Sequence, residues 1–194
     1  MLNTFVINLD RCSGCQSCMT TCKYSNNLPL GTFFNRIINV ERGSFPNVTQ
    51  YWAPKACQQC ENPACLTVCP TGATYRDEKT GLVVVNAATC IGCQACMAAC
   101  PFDARSLNEE DGTVWKCNLC RVYEGENEEP WCVHNCPCGA RFYGDLDDPE
   151  STVSQELAKY NEEDIHTLAD PDGVEPSVRY ILTPRVAAWD ETVQ

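Results

Sequence analysis

Cysteine is the residue that most constrains this chain: 17 of its 194 residues are cysteines, and 16 of these fall into four groups of four. Residues 12–22 (CSGCQSCMTTC) and 90–100 (CIGCQACMAAC) are identical at seven of 11 positions, so the chain contains an internal repeat. The other two groups are looser variants of the same arrangement: Cys57, Cys60, Cys65 and Cys69, then Cys117, Cys120, Cys132 and Cys136. Four copies of one ligand module therefore make up the cysteine-bearing body, which excludes an ordinary enzyme core.

The spacing within the repeat, C-x2-C-x2-C-x3-C, is typical of iron–sulfur cluster binding. A tight loop with this spacing presents three thiolates to one cubane, whereas the fourth cysteine reaches a neighbouring cubane. Proline follows the fourth cysteine in three of the groups, after Cys69, Cys100 and Cys136, as in bacterial two-cluster ferredoxins. Sixteen cysteines in four groups thus predict four [4Fe–4S] clusters.

Two questions about these groups stay open at the level of spacing. Motifs that exchange fourth ligands must pair, either first with second and third with fourth, or first with fourth around a nested second and third. The last group alone, Cys117 and Cys120 with Cys132 and Cys136, also fits a zinc ribbon. The three-cysteine loops followed by Cys-Pro do not suit a ribbon, so clusters remain the interpretation for the whole set, with a zinc-stapled interaction module as the alternative.

The segments between the motifs predict an α+β protein made of tandem bacterial-ferredoxin-like dicluster folds, with small sheets, short helices and a large irregular fraction. The predicted elements are strands at 4–9 and 81–85, short helices at 16–24 and 94–100, and a hairpin at 73–85. Residues 23–56 hold no cysteine but several aromatic side chains, which indicates an insertion with its own small core or a partner face.

Charge divides the chain into two parts. Residues 1–144 hold 13 acids and 11 bases, whereas residues 145–194 hold 13 acids and three bases. We therefore predict a four-cluster body at 1–144 and an extended, acidic C-terminal arm at 145–194 that wraps a partner or stays loose, with a helix at 154–166 and a strand at 178–182. No basic face for nucleic acid is visible. The longest aliphatic run, Leu82–Val85, is too short to span a membrane, and no export signal is expected.

Cluster chemistry also gives the basic residues a role. A cubane with four thiolates carries roughly two negative charges when oxidised, so cations nearby raise its potential. Seven bases lie within five residues of a ligand cysteine: Arg11, Lys23, Lys55, Arg105, Lys116, Arg121 and Arg141. We single out Lys116 and Arg121, which flank one C-x2-C pair, as candidates for tuning a cluster potential.

The remaining reactive side chains predict no catalysis. Cys138, the seventeenth cysteine, is interpreted as a free buried thiol, with a substitute ligand for Cys136 as the alternative. His134 is either a hydrogen-bond donor to a cluster sulfur or an exposed loop residue. The sequence shows no nucleophile with a base, no phosphate-binding glycine loop and no nucleotide fingerprint. Electron transfer, without catalytic residues, is the chemistry that these residues support.

With these motifs in view, the chain resembles the four-cluster iron–sulfur subunits of the dimethyl sulfoxide reductase family of molybdopterin oxidoreductases. The resemblance covers about residues 3–152 and rests on three stretches: CIGCQACMAACP, the second motif ending in CPTGA, and CPCGARFYGDLDDP after the fourth. It implies that the first and fourth motifs pair, as do the second and third. The implied ligand sets are Cys12, Cys15, Cys18 and Cys136; Cys117, Cys120, Cys132 and Cys22; Cys57, Cys60, Cys65 and Cys100; and Cys90, Cys93, Cys96 and Cys69.

The same resemblance implies partners. The first cluster pair would face a molybdenum or tungsten subunit that carries a bis-molybdopterin guanine dinucleotide cofactor, and the second pair would lead to the electron donor or acceptor. The complex would be an anaerobic reductase of the dimethyl sulfoxide, polysulfide, arsenate or aromatic dehydroxylase and transhydroxylase type. A subunit of a soluble hydrogenase or formate dehydrogenase is the rival interpretation.

Membrane contact and location follow from the same comparison of motifs. Any contact with a membrane would go through a further anchor subunit, since no span is predicted in this chain. The protein is expected in the cytoplasm, or exported in folded form with a partner that carries the signal.

Overall fold

The computed structural model describes residues 3–120, 129–170 and 172–193. The helices are α1 (Ser17–Ser25), α2 (Ala64–Thr67), α3 (Ala95–Ala98), α4 (Trp131–His134) and α5 (Thr152–Leu157), with a 3₁₀ turn at Glu162–Asp164. The strands are β1 (Asn3–Asn8), β2 (Asn35–Ser44), β3 (Asn47–Ala56), β4 (Thr74–Arg76), β5 (Val83–Val85), β6 (Arg105–Leu107), β7 (Val114–Lys116), β8 (Arg141–Asp145), β9 (Ile165–His166) and β10 (Arg179–Ile181).

Each cysteine motif has the same order of local structure: a loop, a short helix and then a strand. The third cysteine of every motif lies in the helix, and the strand that follows is β2, β4, β6 or β8. Helix α1 packs against α4, and α2 packs against α3. The internal repeat of the sequence is therefore also a repeat of structure, with two pairs of motifs in contact.

The sheets are small, and the coarse prediction of short helices with small sheets is confirmed. One sheet has four strands in the order β8-β1-β10-β9, and β2-β3, β4-β5 and β6-β7 form three two-stranded sheets. The hairpin predicted at 73–85 is confirmed as β4 and β5, which pair antiparallel from Thr74 opposite Val85. The helix predicted at 94–100 is shorter, because α3 ends before Cys100 and Pro101, and the residue before a proline disfavours helical backbone.

The insertion at 23–56 forms the long hairpin β2-β3, which is buried at its base and exposed at its tip. Tyr51 is buried midway along the hairpin and stacks on Trp189 of the C-terminal segment, with ring centroids 6.2 Å apart. The tip ends in Phe45, which is 91% exposed. An isolated two-stranded hairpin is only marginally stable in water. The stability of β2-β3 therefore depends on its packed, buried part.

The C-terminal segment differs from the extended, loose arm that its acidity predicted. Strand β10 lies inside the four-stranded sheet, parallel to β1 and antiparallel to β9. Tyr180 and Ile181 are both fully buried. The predicted strand is confirmed, but the predicted helix at 154–166 ends at Leu157. This part of the predicted arm is packed into the sheet rather than loose, because the short apolar run around β10 is buried there. Contact with a partner, and a domain boundary at 144, stay predictions.

No helix in the described ranges is long and apolar enough to cross a bilayer.

A buried carboxylate fastens this C-terminal segment to β1. Glu156 of α5 is 1% exposed and accepts hydrogen bonds from Asn8 Nδ2 (3.0 Å) and Lys159 Nζ (2.7 Å). Arg11 Nη2 lies 3.1 Å from Glu156 Oε1. Burial raises the pKa of this carboxyl, but the hydrogen bonds from Lys159 and Asn8 and the charge of Arg11 outweigh burial, so the pKa is lowered from its ordinary value.

We expect Glu156→Gln to lower the free energy of unfolding by about 1 to 3 kcal/mol at neutral pH, since a charged hydrogen-bonding group is lost from a buried site. Because the folded pKa is depressed, the stabilisation is complete above the unfolded carboxyl pKa of about 4.3 and disappears as the pH falls through the folded value. The difference between the native protein and the variant should therefore be constant from pH 6.5 to 5 and narrow at pH 4. Anoxic denaturant titration measures it, with exposed Glu163→Gln as the control. An equal effect of both substitutions would contradict the assignment.

Candidate metal centres

In all four motifs, the residue before the second cysteine has an unusual backbone conformation. Its φ angle is positive in each motif, at Gly14 (66°), Gln59 (49°), Gly92 (64°) and Leu119 (56°). A Cβ atom on Gly14 would lie 2.5 Å from Trp52 Cδ1, and one on Gly92 would lie 2.1 Å from the Gly112 carbonyl oxygen. Glycine is therefore required in the first and third motifs. A left-handed residue in such a loop curves the chain into a concave surface, so that the cysteines face a common space.

The structure brings the cysteines together as four sets of four thiols, which we call sites 1 to 4. Site 1 is a cavity lined by Cys12, Cys15, Cys18 and Cys136, with Cys138 as a fifth cysteine at its wall. Site 2 is a cavity lined by Cys22, Cys117, Cys120 and Cys132. Site 3 consists of Cys60 and the three cysteines whose charges act on it, Cys57, Cys65 and Cys100. Site 4 is a cavity lined by Cys69, Cys90, Cys93 and Cys96.

These sets are nested. The fourth cysteine of the first motif, Cys22, lies among the first three of the fourth motif, and Cys136 lies among the first three of the first. The second and third motifs exchange Cys69 and Cys100 in the same way. The spacing leaves two pairings of the motifs open. In the structure the first motif pairs with the fourth, and the second pairs with the third.

The geometry does not favour the zinc ribbon. Its four cysteines are divided between two cavities, because Cys136 lines site 1 whereas Cys117, Cys120 and Cys132 line site 2. Among the residues that the structure describes, no group of three or more cysteine, histidine or acidic side chains has the geometry to hold a single metal ion.

Burial makes the thiolate form of these cysteines unfavourable without a cation. Burial and then the charges of Cys132 and Cys120 raise the pKa of Cys22 to about 12. In site 3, burial and the charges of Cys57 and Cys100 raise the pKa of Cys60 to about 12. Four thiolates that share a buried space repel one another, so each set is suited to a polynuclear cation such as cluster iron rather than to four free thiols.

Backbone N–H groups stabilise individual sulfur atoms. Ala140 N donates to Cys136 Sγ (3.3 Å), Thr74 N to Cys69 Sγ (3.4 Å), and Val114 N to Cys90 Sγ (3.5 Å). At Cys69, burial raises the pKa, but the hydrogen bonds from Thr74 and Thr71 outweigh burial and bring the pKa to about 7. Such N–H donors are the usual surroundings of cluster ligands.

Each of the four sites adjoins the next in the order 1 to 4. Cys18 of site 1 is within electrostatic reach of Cys132 of site 2. Cys117 of site 2 is likewise within reach of Cys57 of site 3. Sites 3 and 4 meet at Arg105. Burial lowers the pKa of Arg105, but the charges of Cys65 and Cys57 in site 3 and of Cys96 in site 4 outweigh burial and raise it. Exposed cysteines occur only at the two ends among the residues described: Cys15 in site 1 and Cys93 in site 4.

The structure describes only one of the two bases proposed to tune a cluster potential. Lys116 is buried and donates from Nζ to the Cys117 carbonyl oxygen (2.8 Å). Its charge also acts on Cys65 of site 3, where burial is the larger influence and raises the thiol pKa. Arg121 lies outside the described residues. Potential tuning by either residue stays a prediction.

Two other bases, also among the seven near ligand cysteines, are buried in the structure. Arg105 and Arg141 are both 4% exposed, and each begins the strand that follows its motif. The signal that identifies them is the stretch Cys-Pro-x-x-Ala-Arg, which occurs after the third and the fourth motif.

Cys138 and His134 lie beside the sites rather than within a catalytic arrangement. Cys138 is half-buried, lines the cavity of site 1 and lies 3.2 Å from Ser13 Oγ. The His134 ring is exposed on α4 and packs edge to face on Trp131, with centroids 6.3 Å apart. His134 is exposed, as expected, but it lies in the last turn of a helix rather than in a loop.

Comparison with known proteins agrees with this chemistry. The family described as 4Fe-4S dicluster domain matches residues 48–146, which include the second, third and fourth motifs. A dimethyl sulfoxide reductase iron–sulfur subunit from Halobacterium salinarum is 42% identical, over 91% of this chain and 77% of that protein. A subunit of sulfite dehydrogenase from Allochromatium vinosum is 42% identical, over 77% of this chain and 71% of that protein. A subunit of tetrathionate reductase from Salmonella typhimurium is 39% identical, over 91% of this chain and 70% of that protein.

These similarities extend beyond the cysteine motifs, because they cover most of this chain and most of each relative. The iron–sulfur character of the chain, and the resemblance drawn from the sequence, are thereby confirmed at the level of the family. This chain belongs to the family of iron–sulfur subunits of dimethyl sulfoxide reductase-type molybdopterin oxidoreductases.

Proposed function

We propose that this chain relays electrons through four [4Fe–4S] clusters, to or from a molybdopterin-containing catalytic subunit of an anaerobic reductase. The observation that carries the proposal is the series of four thiol sites, each of which adjoins the next. When bound, an iron–sulfur cluster supplies one-electron redox chemistry in a range of potentials that its surroundings set. The relatives named as subunits of reductases and of a dehydrogenase support the same role.

The residues present fit such clusters. Each site supplies four sulfur donors of the type that clusters use, mostly half-buried or buried and partly stabilised by backbone N–H groups. We therefore assign sites 1 to 4 as the four ligand sets. The motifs of sites 1 and 2 form one dicluster half, and those of sites 3 and 4 form the other.

Burial distinguishes the two end sites from the two inner ones. The exposed cysteines, Cys15 and Cys93, lie in sites 1 and 4, so electrons reach solvent or a partner most easily at the two ends. Sites 2 and 3 lie between them. We propose that site 1 faces the catalytic subunit and that site 4 faces the electron donor or acceptor, as the family resemblance implies.

Three further proposals concern the setting of the chain. Membrane contact, where the complex has it, goes through a separate anchor subunit. The complex acts in the cytoplasm or is exported folded with a signal-bearing partner. The acidic C-terminal segment supplies part of the surface that a partner covers.

Elemental analysis of the native complex, captured anoxically through a tag on this chain, tests the proposal. We expect about 16 iron atoms per chain, since four cubanes hold four irons each. A co-purifying partner should bring one molybdenum or tungsten atom. Iron without either heavy metal would assign the chain to a hydrogenase-type complex instead, and zinc without iron would overturn the electron-transfer role.

Cysteine-to-serine variants test the nested ligand sets. Cys22→Ser should alter the same reduced-cluster signal in electron paramagnetic resonance as Cys120→Ser, and Cys136→Ser should alter the same signal as Cys15→Ser. In the alternative pairing, Cys22→Ser would instead share its signal with Cys60→Ser. Cys138→Ser is the matched control and should keep all the iron. Loss of iron in that control, without loss in Cys136→Ser, would make Cys138 the ligand of site 1.

A further inference from the structure

Two buried arginines lie where neighbouring thiol sites meet. Arg141 lines both the cavity of site 1 and the cavity of site 2. Arg105 has the equivalent place in the other half, where it lies within electrostatic reach of Cys65 in site 3 and Cys96 in site 4. Both side chains are almost entirely removed from solvent. Each dicluster half thus contains one guanidinium at its centre.

The protein itself satisfies only part of each guanidinium. Arg141 Nη1 donates weakly to Asn35 Oδ1 (3.5 Å), and its carbon Cζ lies 4.7 Å from the centroid of the Phe5 ring. Its Nε and Nη2 atoms are buried without a hydrogen-bond acceptor. Arg105 Nη1 donates to Thr74 Oγ1 (3.2 Å), and its Nη2 atom also has no acceptor. Buried N–H groups of a charged side chain are rarely left unpaired, so these donors indicate a further acceptor in the sites.

The two arginines hold equivalent positions in the repeat. The four strands that follow the motifs begin with Asn35, Thr74, Arg105 and Arg141. In each half an arginine at the start of one strand donates to the neutral side chain at the start of the other, Arg105 to Thr74 and Arg141 to Asn35. This shared arrangement places one cation and one neutral residue at each pair of sites.

The counter-charge of these arginines comes from thiols. For Arg141, burial lowers the pKa, but the charges of Cys132 and Cys18 outweigh burial and raise it above its ordinary value. No carboxylate is among the groups that act on it most strongly. A cation held between two sulfur-rich sites stabilises the more negative, reduced state of both.

We propose that Arg141 and Arg105 are positioning residues that each set the potentials of two adjacent clusters, Arg141 for sites 1 and 2 and Arg105 for sites 3 and 4. The proposal rests on the assignment of the four sites to [4Fe–4S] clusters. Each guanidinium donates its unpaired N–H groups toward the sulfur atoms of its two sites. Each therefore raises the potentials of one half of the relay and leaves the other half unaffected.

Redox titration of the intact complex, followed by electron paramagnetic resonance, tests this assignment. We expect Arg141→Gln to lower the midpoint potentials of the clusters in sites 1 and 2. At a fixed applied potential, the ratio of reduced to oxidised cluster should fall at least tenfold. For one electron that change is about 59 mV. Arg105→Gln should have the same effect on sites 3 and 4 only. Exposed Arg185→Gln is the matched control and should move none of the four.

Iron analysis of the same samples separates the possible failures. Full iron with unchanged potentials, or with all four shifted alike, would overturn the proposal and leave the relay intact. Absence of iron from the native complex would overturn the relay itself. A purely structural role would lower thermal stability without a shift confined to one half.

A measurement on the native chain covers variants that do not assemble. Protein labelled with ¹⁵N only in the arginine guanidinium should show a weak ¹⁵N hyperfine coupling at the reduced clusters in pulsed electron paramagnetic resonance. Arg141→Lys should remove that coupling from the clusters of sites 1 and 2 and retain it for sites 3 and 4. Absence of any coupling in the native protein would contradict the placement of the guanidinium groups.

Discussion

The structure depends on the need to hold four sulfur donors together in each of four largely buried places. Thiolates in such positions repel one another and lose hydration, which is why the pKa values of Cys22 and Cys60 are raised to about 12. Without a cation these groups stay protonated, whereas a cation shared by the set lets all four become thiolates together. Cluster binding is therefore coupled to folding, since the ligands adopt their charged form and their final positions together.

Nesting extends this coupling across the chain. Site 2 joins Cys22 to Cys117, and site 1 joins Cys12 to Cys136, so each closes a loop of nearly half the chain or more. A closure of this length has a large entropic cost that local contacts do not offset. The four-stranded sheet serves the same closure: β1 and β8 pair antiparallel, and β10 fastens β1 on its other edge. The second and third motifs lie within this frame and close over shorter distances.

Local spacing predicted the cluster chemistry, the four groups and the hairpin at 73–85, because these depend on neighbours in sequence. The pairing of the motifs depends on closure in space, so spacing left it open and only the family resemblance implied it. The acidic composition of residues 145–194 suggested a loose arm, whereas three residues of β10 and the buried Glu156 attach it to β1. Proximity in sequence favoured Lys116 and Arg121 over Arg141, although Arg141 is the one that contacts two cavities.

The position of Arg141 shows why such residues are difficult to identify from sequence alone. A buried guanidinium usually requires a carboxylate, yet the groups that act most strongly on Arg141 are Cys132 and Cys18. Those thiols carry charge only when they are ligands, and the same charge is unfavourable unless a cation is close. The arginine and the two thiol sites are therefore stable together and unfavourable separately. The five-residue distance from Cys136 to Arg141 becomes meaningful only once Cys18 and Cys132 lie on either side of it.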